Sequence, residues 1–237
     1  MKKHTFLIYA MVLFALISCK EPMPQIARFE YSENNVDITY QAIQNFKESK
    51  ILTSIEKQNY ANIFATSSDA PMDIEAAAKK LEQDFNEEYK DCNEYMTVPC
   101  TNSIYQECFL IRQNRVLCYR TDEHIYTGGA HGSFYTHYHC YDLRTGKCYN
   151  FDYLFEGETG LAVRKIVCEK LREQVEEYEG RAMWTPEDLP KFSDAALLDD
   201  GVLFLYQPYE IASFAMGIIA VEISDDELLA TGAKLPL

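Results

Sequence analysis

Three of the ten glycine residues in this 237-residue chain fall inside one seven-residue segment that also contains a histidine. The segment reads Tyr126-Thr127-Gly128-Gly129-Ala130-His131-Gly132. Glycines this close together permit positive φ angles and the near approach of a ligand or of another backbone. No Gly-Lys-Ser follows, so a phosphate-binding loop is not indicated. The segment, called the glycine turn (residues 126–132), therefore predicts a special turn between two strands.

The histidine of the glycine turn leaves two interpretations open. His131 has the side chain of a general base or of a ligand-binding group, because an imidazole changes protonation near neutral pH. A single histidine in a turn more commonly makes a structural hydrogen bond. Ser133 is too close along the chain to complete a nucleophilic set with His131. Catalysis by His131 would therefore require a carboxylate from elsewhere in the fold.

A second pair of histidines follows the glycine turn. His137 and His139 are two residues apart on a predicted strand, so both imidazoles point to the same face. Two histidines at this spacing suit a metal ion, but Cys140 would project to the opposite face, away from any tetrahedral set. We therefore predict neither a metal nor another cofactor, and interpret the pair as exposed strand histidines.

A bend near the C-terminus supplies further candidates. Pro208 interrupts an apolar region and forces an edge or a bend, because proline has no backbone N–H to donate. The bend would direct Tyr209 and Glu210 toward the glycine turn. The predicted ligand-binding residues are Tyr126, Gly128, Gly129, His131, Gly132, Tyr209 and Glu210.

The N-terminus has the layout of a bacterial lipoprotein signal. Basic residues at Lys2 and Lys3 precede an apolar run that ends in Leu16-Ile17-Ser18-Cys19. The run is shorter than the roughly 20 residues that a membrane-spanning helix needs. We predict a signal peptide over residues 1–18, lipid attachment at Cys19 and a proline-containing tether over residues 19–25 that stays off the fold. The alternatives are a plain secretory signal and a membrane anchor with an incidental cysteine. All three interpretations place the folded part in the cell envelope or outside the cell.

Cysteine usage is unusual for an exported chain. Seven cysteines remain after Cys19, and an odd number leaves at least one thiol without an intramolecular partner. No Cys-x-x-Cys spacing occurs, which disfavours a zinc ribbon or a thioredoxin-type motif. Sequence spacing suggests three pairings, namely Cys108 with Cys118, Cys140 with Cys148, and Cys92 with Cys100.

The chain is strongly acidic, with a formal net charge of −15 at pH 7. Removal of Lys2 and Lys3 with the signal peptide would move this charge from −15 to −17. Such a surface repels nucleic-acid backbones and favours a cationic protein as partner. The hydrophobic fraction of 47% excludes a disordered chain and leaves enough apolar surface for a core.

The predicted elements follow from hydrophobic periodicity. Strands with alternating patterns occur in runs between isolated helices, which predicts an α+β fold with a mainly antiparallel sheet and two or three packed helices. The expected elements are hairpins within 26–40, 103–120 and 134–151, helices at 50–64, 71–89 and 159–178, a loop at 93–101, a meander within 192–223 and a short helix capped by Ser224.

Four ordered motifs resemble those of a known family. They are the glycine turn, residues 142–147 with 151–155, residues 201–204, and the Pro208 segment with Gly217. Together they are similar to the C-terminal domain of the RsiV-like, PdaC-associated envelope proteins. The resemblance covers residues 103–229 well and residues 26–90 more loosely. It implies a C-terminal RsiV-like domain at 103–237, preceded by an α/β portion at 26–102.

The resemblance implies a binding module rather than a catalytic one. Members of the family occur as lipoproteins, as ectodomains of an anti-sigma factor that binds lysozyme, and beside polysaccharide deacetylase domains. We therefore expect a lipid-anchored envelope protein that binds lysozyme or a cell-wall component such as peptidoglycan. The alternative is an envelope hydrolase acting on wall glycan or peptide, with His131 and a carboxylate as acid and base.

Overall fold

The computed structural model describes residues 22–67, 71–176, 184–190, 192 and 194–236. The predicted signal peptide and Cys19 lie outside these residues. Within them, nine strands form two sheets, and the chain also forms six α-helices. The prediction of an α+β fold is therefore confirmed.

The larger sheet has six strands in sequence order. Its only parallel pair within the described residues is β2 with β3, and its other neighbours are antiparallel. The strands are β1 (Ile26–Glu33), β2 (Val36–Ile43), β3 (Thr101–Ile111), β4 (Val116–Tyr126), β5 (Ser133–Asp142) and β6 (Cys148–Tyr149).

The smaller sheet is an antiparallel meander of β7 (Asp194–Leu197), β8 (Gly201–Tyr206) and β9 (Ile219–Ser224). The helices are α1 (Lys50–Phe64), α2 (Ile74–Glu88), α3 (Lys90–Tyr95), α4 (Phe151–Leu154), α5 (Glu158–Glu176) and α6 (Asp225–Ala230). The helix α3 occupies part of the predicted loop at 93–101, which corrects that assignment.

Strand β4 is buried on both faces over residues 116–119, where it divides the core into two layers. Leu117 and Tyr119 pack against α1, whose buried face includes Leu52 and Ile55. Val116 and Cys118 point to the opposite face of the sheet, into a core shared with α5 and the smaller sheet. Because successive side chains of a strand alternate in direction, one central strand holds the helical layer and the second sheet together.

Turn chemistry at the predicted positions agrees with the sequence. Asn34 and Asn35 both have positive φ in the tight turn between β1 and β2. Ser224 forms a complete capping box with Glu227 at the start of α6. The turn predicted around Gln113 and Asn114 begins one residue earlier, because Arg112 also has a positive φ of 52°.

The three suggested cysteine pairings are wrong, because the disulfide joins Cys118 to Cys140. These two residues lie directly opposite each other on β4 and β5, with a Cα–Cα distance of 4.0 Å. Cys108 lies opposite Tyr119, so it points to the other face from Cys118. Cys148 likewise lies opposite Tyr141 rather than Cys140. In the described part of the chain Cys92, Cys100, Cys108, Cys148 and Cys168 are free thiols.

The end of the predicted tether is bound to the fold rather than free of it. Asn45 Oδ1 accepts a hydrogen bond from Gln25 N at 2.8 Å, and Asn45 Nδ2 donates to Met23 O at 3.0 Å. The expected boundary between residues 102 and 103 falls inside β3, and the larger sheet continues across it from β2.

A carboxyl group is buried between α1 and the larger sheet. Glu56 is only 3% exposed and accepts hydrogen bonds from Tyr40 Oη at 2.6 Å and from Ile43 N at 2.8 Å. Burial raises the pKa of Glu56 to about 7, although the two hydrogen bonds oppose the rise.

Glu56 therefore gives folding stability a pH dependence. Between its unfolded and folded pKa values the native state holds a proton that the unfolded chain releases, so stability falls as pH rises. For one full proton the free energy of unfolding falls by about 1.4 kcal/mol per pH unit. Urea unfolding between about pH 5 and about pH 7 should therefore show a smaller fall in the free energy of unfolding for Glu56→Gln than for the wild type. The exposed Glu87→Gln variant should follow the wild type. Parallel curves for wild type and Glu56→Gln would contradict this assignment.

Candidate functional site

The glycine turn joins β4 to β5 at one end of the larger sheet. Gly128 and Gly129 have φ angles of 99° and 91°, a region that L-residues avoid. A Cβ at Gly128 would lie 2.5 Å from Met96 Cε, and one at Gly132 would lie 2.8 Å from Ile125 O. These glycines are therefore required by backbone conformation and by close packing.

The Pro208 bend is fixed to the free edge of β5. The buried Gln207 side chain accepts from Thr136 N at 3.1 Å and donates to Thr136 O at 2.7 Å, as a neighbouring strand would. Glu210 accepts a hydrogen bond from Gln207 N at 2.6 Å and so closes the bend. Tyr209 has a positive φ of 73°. It is 66% exposed.

One aromatic side chain connects the glycine turn to the Pro208 bend. The ring of Phe214 stacks on His131 with a centroid separation of 3.8 Å and lies 5.6 Å from the ring of Tyr209. Phe134 contacts the same ring edge-on at 5.4 Å. His131 and Tyr209 thus both contact Phe214, which sequence reasoning missed, whereas Glu210 forms its hydrogen bond within the bend. The sequence signal of Phe214 was weak, since Phe214 lies in a segment with no strand or helix period.

Exposed apolar residues flank Met96, a residue close to the glycine turn. Tyr95 is the last residue of α3 and Val98 lies between α3 and β3, and both are exposed. Met96 lies between them in sequence and contacts the glycine turn at Gly128. We call the glycine turn, residues 207–217 and residues 95–98 together the glycine-turn surface.

The remaining predicted site residues have structural contacts. Tyr126 donates a hydrogen bond to Gly129 O at 3.3 Å across the glycine turn. His131 Nδ1 lies 3.0 Å from Gly132 O. Among the described residues no carboxylate forms a hydrogen bond or an ion pair with His131, so the acid–base pair of the hydrolase interpretation is not assembled. The arrangement presents aromatic faces and backbone groups, which suits binding.

The histidine pair on β5 lies on one face, as its spacing predicts, and lines a cavity beside α1. A hydrogen bond to Asp194, at 3.3 Å from His137 Nδ1, raises the pKa of His137, while burial opposes the rise. Burial lowers the pKa of His139. In the part of the chain that the structure describes, no three histidine, cysteine or acidic side chains are grouped to hold a metal ion.

Comparison with known proteins identifies similarity to one family. Residues 155–226 match the family described as protein of unknown function, DUF3298. This segment contains the Pro208 bend and Phe214 but not the glycine turn. No curated protein matches the chain.

Two solved structures of DUF3298 proteins have a similar fold. The one from Bacteroides fragilis NCTC 9343 has a TM-score of 0.65 at 19% sequence identity, covering 87% of this chain and 92% of its own. The one from Pseudomonas aeruginosa PAO1 has a TM-score of 0.59 at 17% identity, covering 91% of this chain and 96% of its own. At this level of identity the similarity establishes the fold.

Proposed function

We propose that the protein is a lipid-anchored component of the bacterial envelope whose glycine-turn surface binds a cationic protein, with lysozyme as the first candidate. The observation that carries the proposal is the convergence of the glycine turn and the Pro208 bend on Phe214. Through this contact the exposed ring of Tyr209 packs against ordered side chains, an arrangement that is common in binding sites.

An exposed tyrosine on an ordered bend can contribute to binding with a small loss of conformational entropy. Tyrosine side chains supply a large contact area and a polar hydroxyl while losing few rotamers. Tyr209 is held by the bend, and the bend is held by the Gln207 side chain on β5. A partner that covers this ring therefore meets a surface that is already ordered, which reduces the entropy lost on association.

Charge complementarity supports a basic partner. The formal net charge of −15 attracts a cationic protein over long range and raises its association rate. The same field disfavours polyanions such as nucleic acid. Because exposed charges are screened, binding to lysozyme should weaken as salt concentration increases.

The anchor is part of the proposal and is supported by the sequence around Cys19. No helix in the described ranges has the length and apolarity to cross a bilayer. Acyl chains on Cys19 would hold the domain at a membrane surface, where a binding protein meets wall polymers and secreted lysozyme. Metabolic labelling with a radioactive fatty acid tests this point, since Cys19→Ala should abolish incorporation.

Replacement of Tyr209 tests the surface. Tyr209→Ser should weaken binding to lysozyme by about 10- to 100-fold, because truncated aromatic anchors at interfaces commonly cost this much. Isothermal titration calorimetry of the purified wild type and variant measures the change. Unaltered thermal unfolding is expected, since the Tyr209 ring is exposed.

The matched control is Tyr105→Ser, which removes an exposed tyrosine from β3 outside the glycine-turn surface. Its affinity should equal that of the wild type. Absence of binding to lysozyme and to peptidoglycan fragments at micromolar concentration would refute the proposed function. Equal losses in the two variants would refute the assigned surface.

A further inference from the structure

The end of the larger sheet opposite the glycine turn carries four exposed basic side chains. Lys47 and Lys50 lie at the start of α1, and Arg144 and Lys147 lie in the turn between β5 and β6. We call these four residues the basic end. Strand β5 runs from the glycine turn toward the basic end, and its 10 residues span about 30 Å. The glycine turn and the basic end therefore lie at opposite ends of the larger sheet.

Packing beneath the basic end joins its two segments into one surface. Phe46, Ile51 and Leu143 are each next in sequence to one of the four basic residues, and all three belong to the same apolar cluster. A Cβ at Gly146 would lie 3.6 Å from Ile51 Cγ2. Gln58 Nε2 also donates a hydrogen bond to Gly146 O at 3.4 Å. The turn between β5 and β6 is therefore packed on the first turns of α1.

The positive charges of the basic end are largely uncompensated. Among the described residues, Lys47, Lys50 and Lys147 form no ion pair. Arg144 lies 3.6 Å from the buried carboxylate of Asp142, and the Arg144 side chain is 64% exposed. Because an exposed pair at this distance is weak, all four cations remain accessible to an anionic partner.

Acidic residues at this end of the sheet do not cancel the positive charge beside α1. Glu48 is exposed between the two lysines and accepts a hydrogen bond from Asn45 Nδ2 at 3.2 Å. Asp199 and Asp200 are also exposed, but they belong to the meander, which packs on the opposite face of the larger sheet from α1. Positive charge therefore predominates on the α1 side of this end, although the chain has a formal net charge of −15.

The N-terminal segment is attached to the fold at this same end. The side chain of Asn45, two residues before Lys47, binds Met23 O and Gln25 N. Cys19 precedes Met23 by four residues in the sequence, and four residues reach at most about 14 Å. Acyl chains on Cys19 would therefore hold the basic end close to the bilayer, because the bound segment leaves the domain little freedom to turn away.

We propose that the basic end binds the anionic lipid headgroups of the bilayer that holds the anchor, so that the glycine-turn surface faces away from the membrane. This inference rests on the lipid anchor of the proposed function. Lysine and arginine side chains close to an anionic bilayer are attracted to it. The same bilayer repels the acidic remainder of the domain, and both effects favour one orientation. In that orientation the glycine turn lies about 30 Å beyond the basic end, where it meets partners outside the membrane.

Lysine acylation of the full chain on vesicles tests the orientation. The purified protein is reconstituted in vesicles of phosphatidylcholine alone or of phosphatidylcholine with phosphatidylglycerol, and is modified with an N-hydroxysuccinimide ester. Mass spectrometry should show that the anionic vesicles slow the modification of Lys47, Lys50 and Lys147 by about fivefold, which corresponds to the usual attraction of one cation near an anionic surface. Modification of the exposed residues Lys79 on α2 and Lys90 on α3 should be equal on the two kinds of vesicle.

Two matched double variants test whether the local charges cause the protection. Lys47→Gln/Lys147→Gln should remove most of the protection of Lys50, whereas Lys79→Gln/Lys90→Gln should leave it near its wild-type value. Both variants remove the same net charge from exposed positions, so the comparison separates attraction at the basic end from the charge of the whole domain. Equal protection of Lys50 in the two double variants would contradict the assignment of the basic end.

The outcomes distinguish the orientation from the anchor on which it rests. Failure of the protein to attach to either kind of vesicle would refute the anchor and the orientation with it. Attachment with equal modification of all five lysines on both kinds of vesicle would refute the orientation alone. Protection of the basic end by soluble polyphosphate but not by anionic vesicles would overturn the membrane contact in favour of a soluble or wall-bound polyanion.

Discussion

Replacement of Arg112 by methionine is expected to lower the free energy of unfolding by about 3–5 kcal/mol, the usual cost of removing one partner from a buried ion pair. The Arg112 side chain is 2% exposed and binds both carboxylate oxygens of Asp225, at 2.5 and 2.8 Å. It also donates to Gly201 O at 3.0 Å. Loss of the guanidinium leaves a carboxylate and a carbonyl without their donor. Urea unfolding of the variant measures the effect.

Arg112 matters because it connects parts of the chain that no strand pairing joins. It sits in the turn between β3 and β4, whereas Gly201 begins β8 and Asp225 begins α6. Its backbone N also donates to Asp199 Oδ1 at 2.7 Å. The larger sheet is thereby fixed to the meander that carries the Pro208 bend.

The control for this prediction is Arg144→Met. Arg144 is mostly exposed and lies 3.6 Å from Asp142, so its loss should change stability by less than about 1 kcal/mol. The double variant Arg112→Met with Asp225→Asn should recover part of the loss, because no uncompensated charge remains. Equal destabilisation by Arg112→Met and Arg144→Met would show that the buried pair does not stabilise the fold.

Removal of the disulfide is also expected to cause a large loss in the free energy of unfolding. The bond between Cys118 and Cys140 closes a loop with a sequence separation of 22. On the chain-entropy model, its absence in Cys118→Ala/Cys140→Ala should lower the free energy of unfolding by about 3 kcal/mol. Reductant should destabilise the wild type to a similar extent and should have no further effect on the double variant.

A matched pair of free cysteines provides the control. Cys108→Ala/Cys148→Ala removes two half-buried thiols, one on β3 and one on β6, without breaking a bond. It should retain more stability than Cys118→Ala/Cys140→Ala, and it should remain sensitive to reductant. A double variant at 118 and 140 that still responds to reductant would contradict the pairing. Since disulfides persist mainly in oxidising compartments, the bond also supports the proposed envelope location.

Local features of the fold could be predicted from the sequence. The helix at Lys50–Phe64, the turn at Asn34-Asn35 and the cap at Ser224 were all recognisable, because each depends on residues close together in the chain. Periodicity and turn chemistry report such short-range preferences directly.

Long-range features could not be predicted in the same way. The disulfide follows the register of β4 and β5. Sequence spacing instead suggested Cys108 with Cys118 and Cys140 with Cys148, whose side chains point to opposite faces. The contact of Phe214 with His131 likewise depends on how the meander packs on the larger sheet. The buried ion pair of Arg112 could not be predicted either, because its partner Asp225 is distant in sequence. An arginine in a turn looks the same in the sequence whether its side chain is exposed or buried.

Amide hydrogen exchange of the protein with and without bound lysozyme tests the central claim most directly. The account predicts that binding slows exchange in residues 126–132 and 207–217 and leaves α2 unchanged. Slower exchange confined to α2 or to β1, with no change in those two segments, would contradict it.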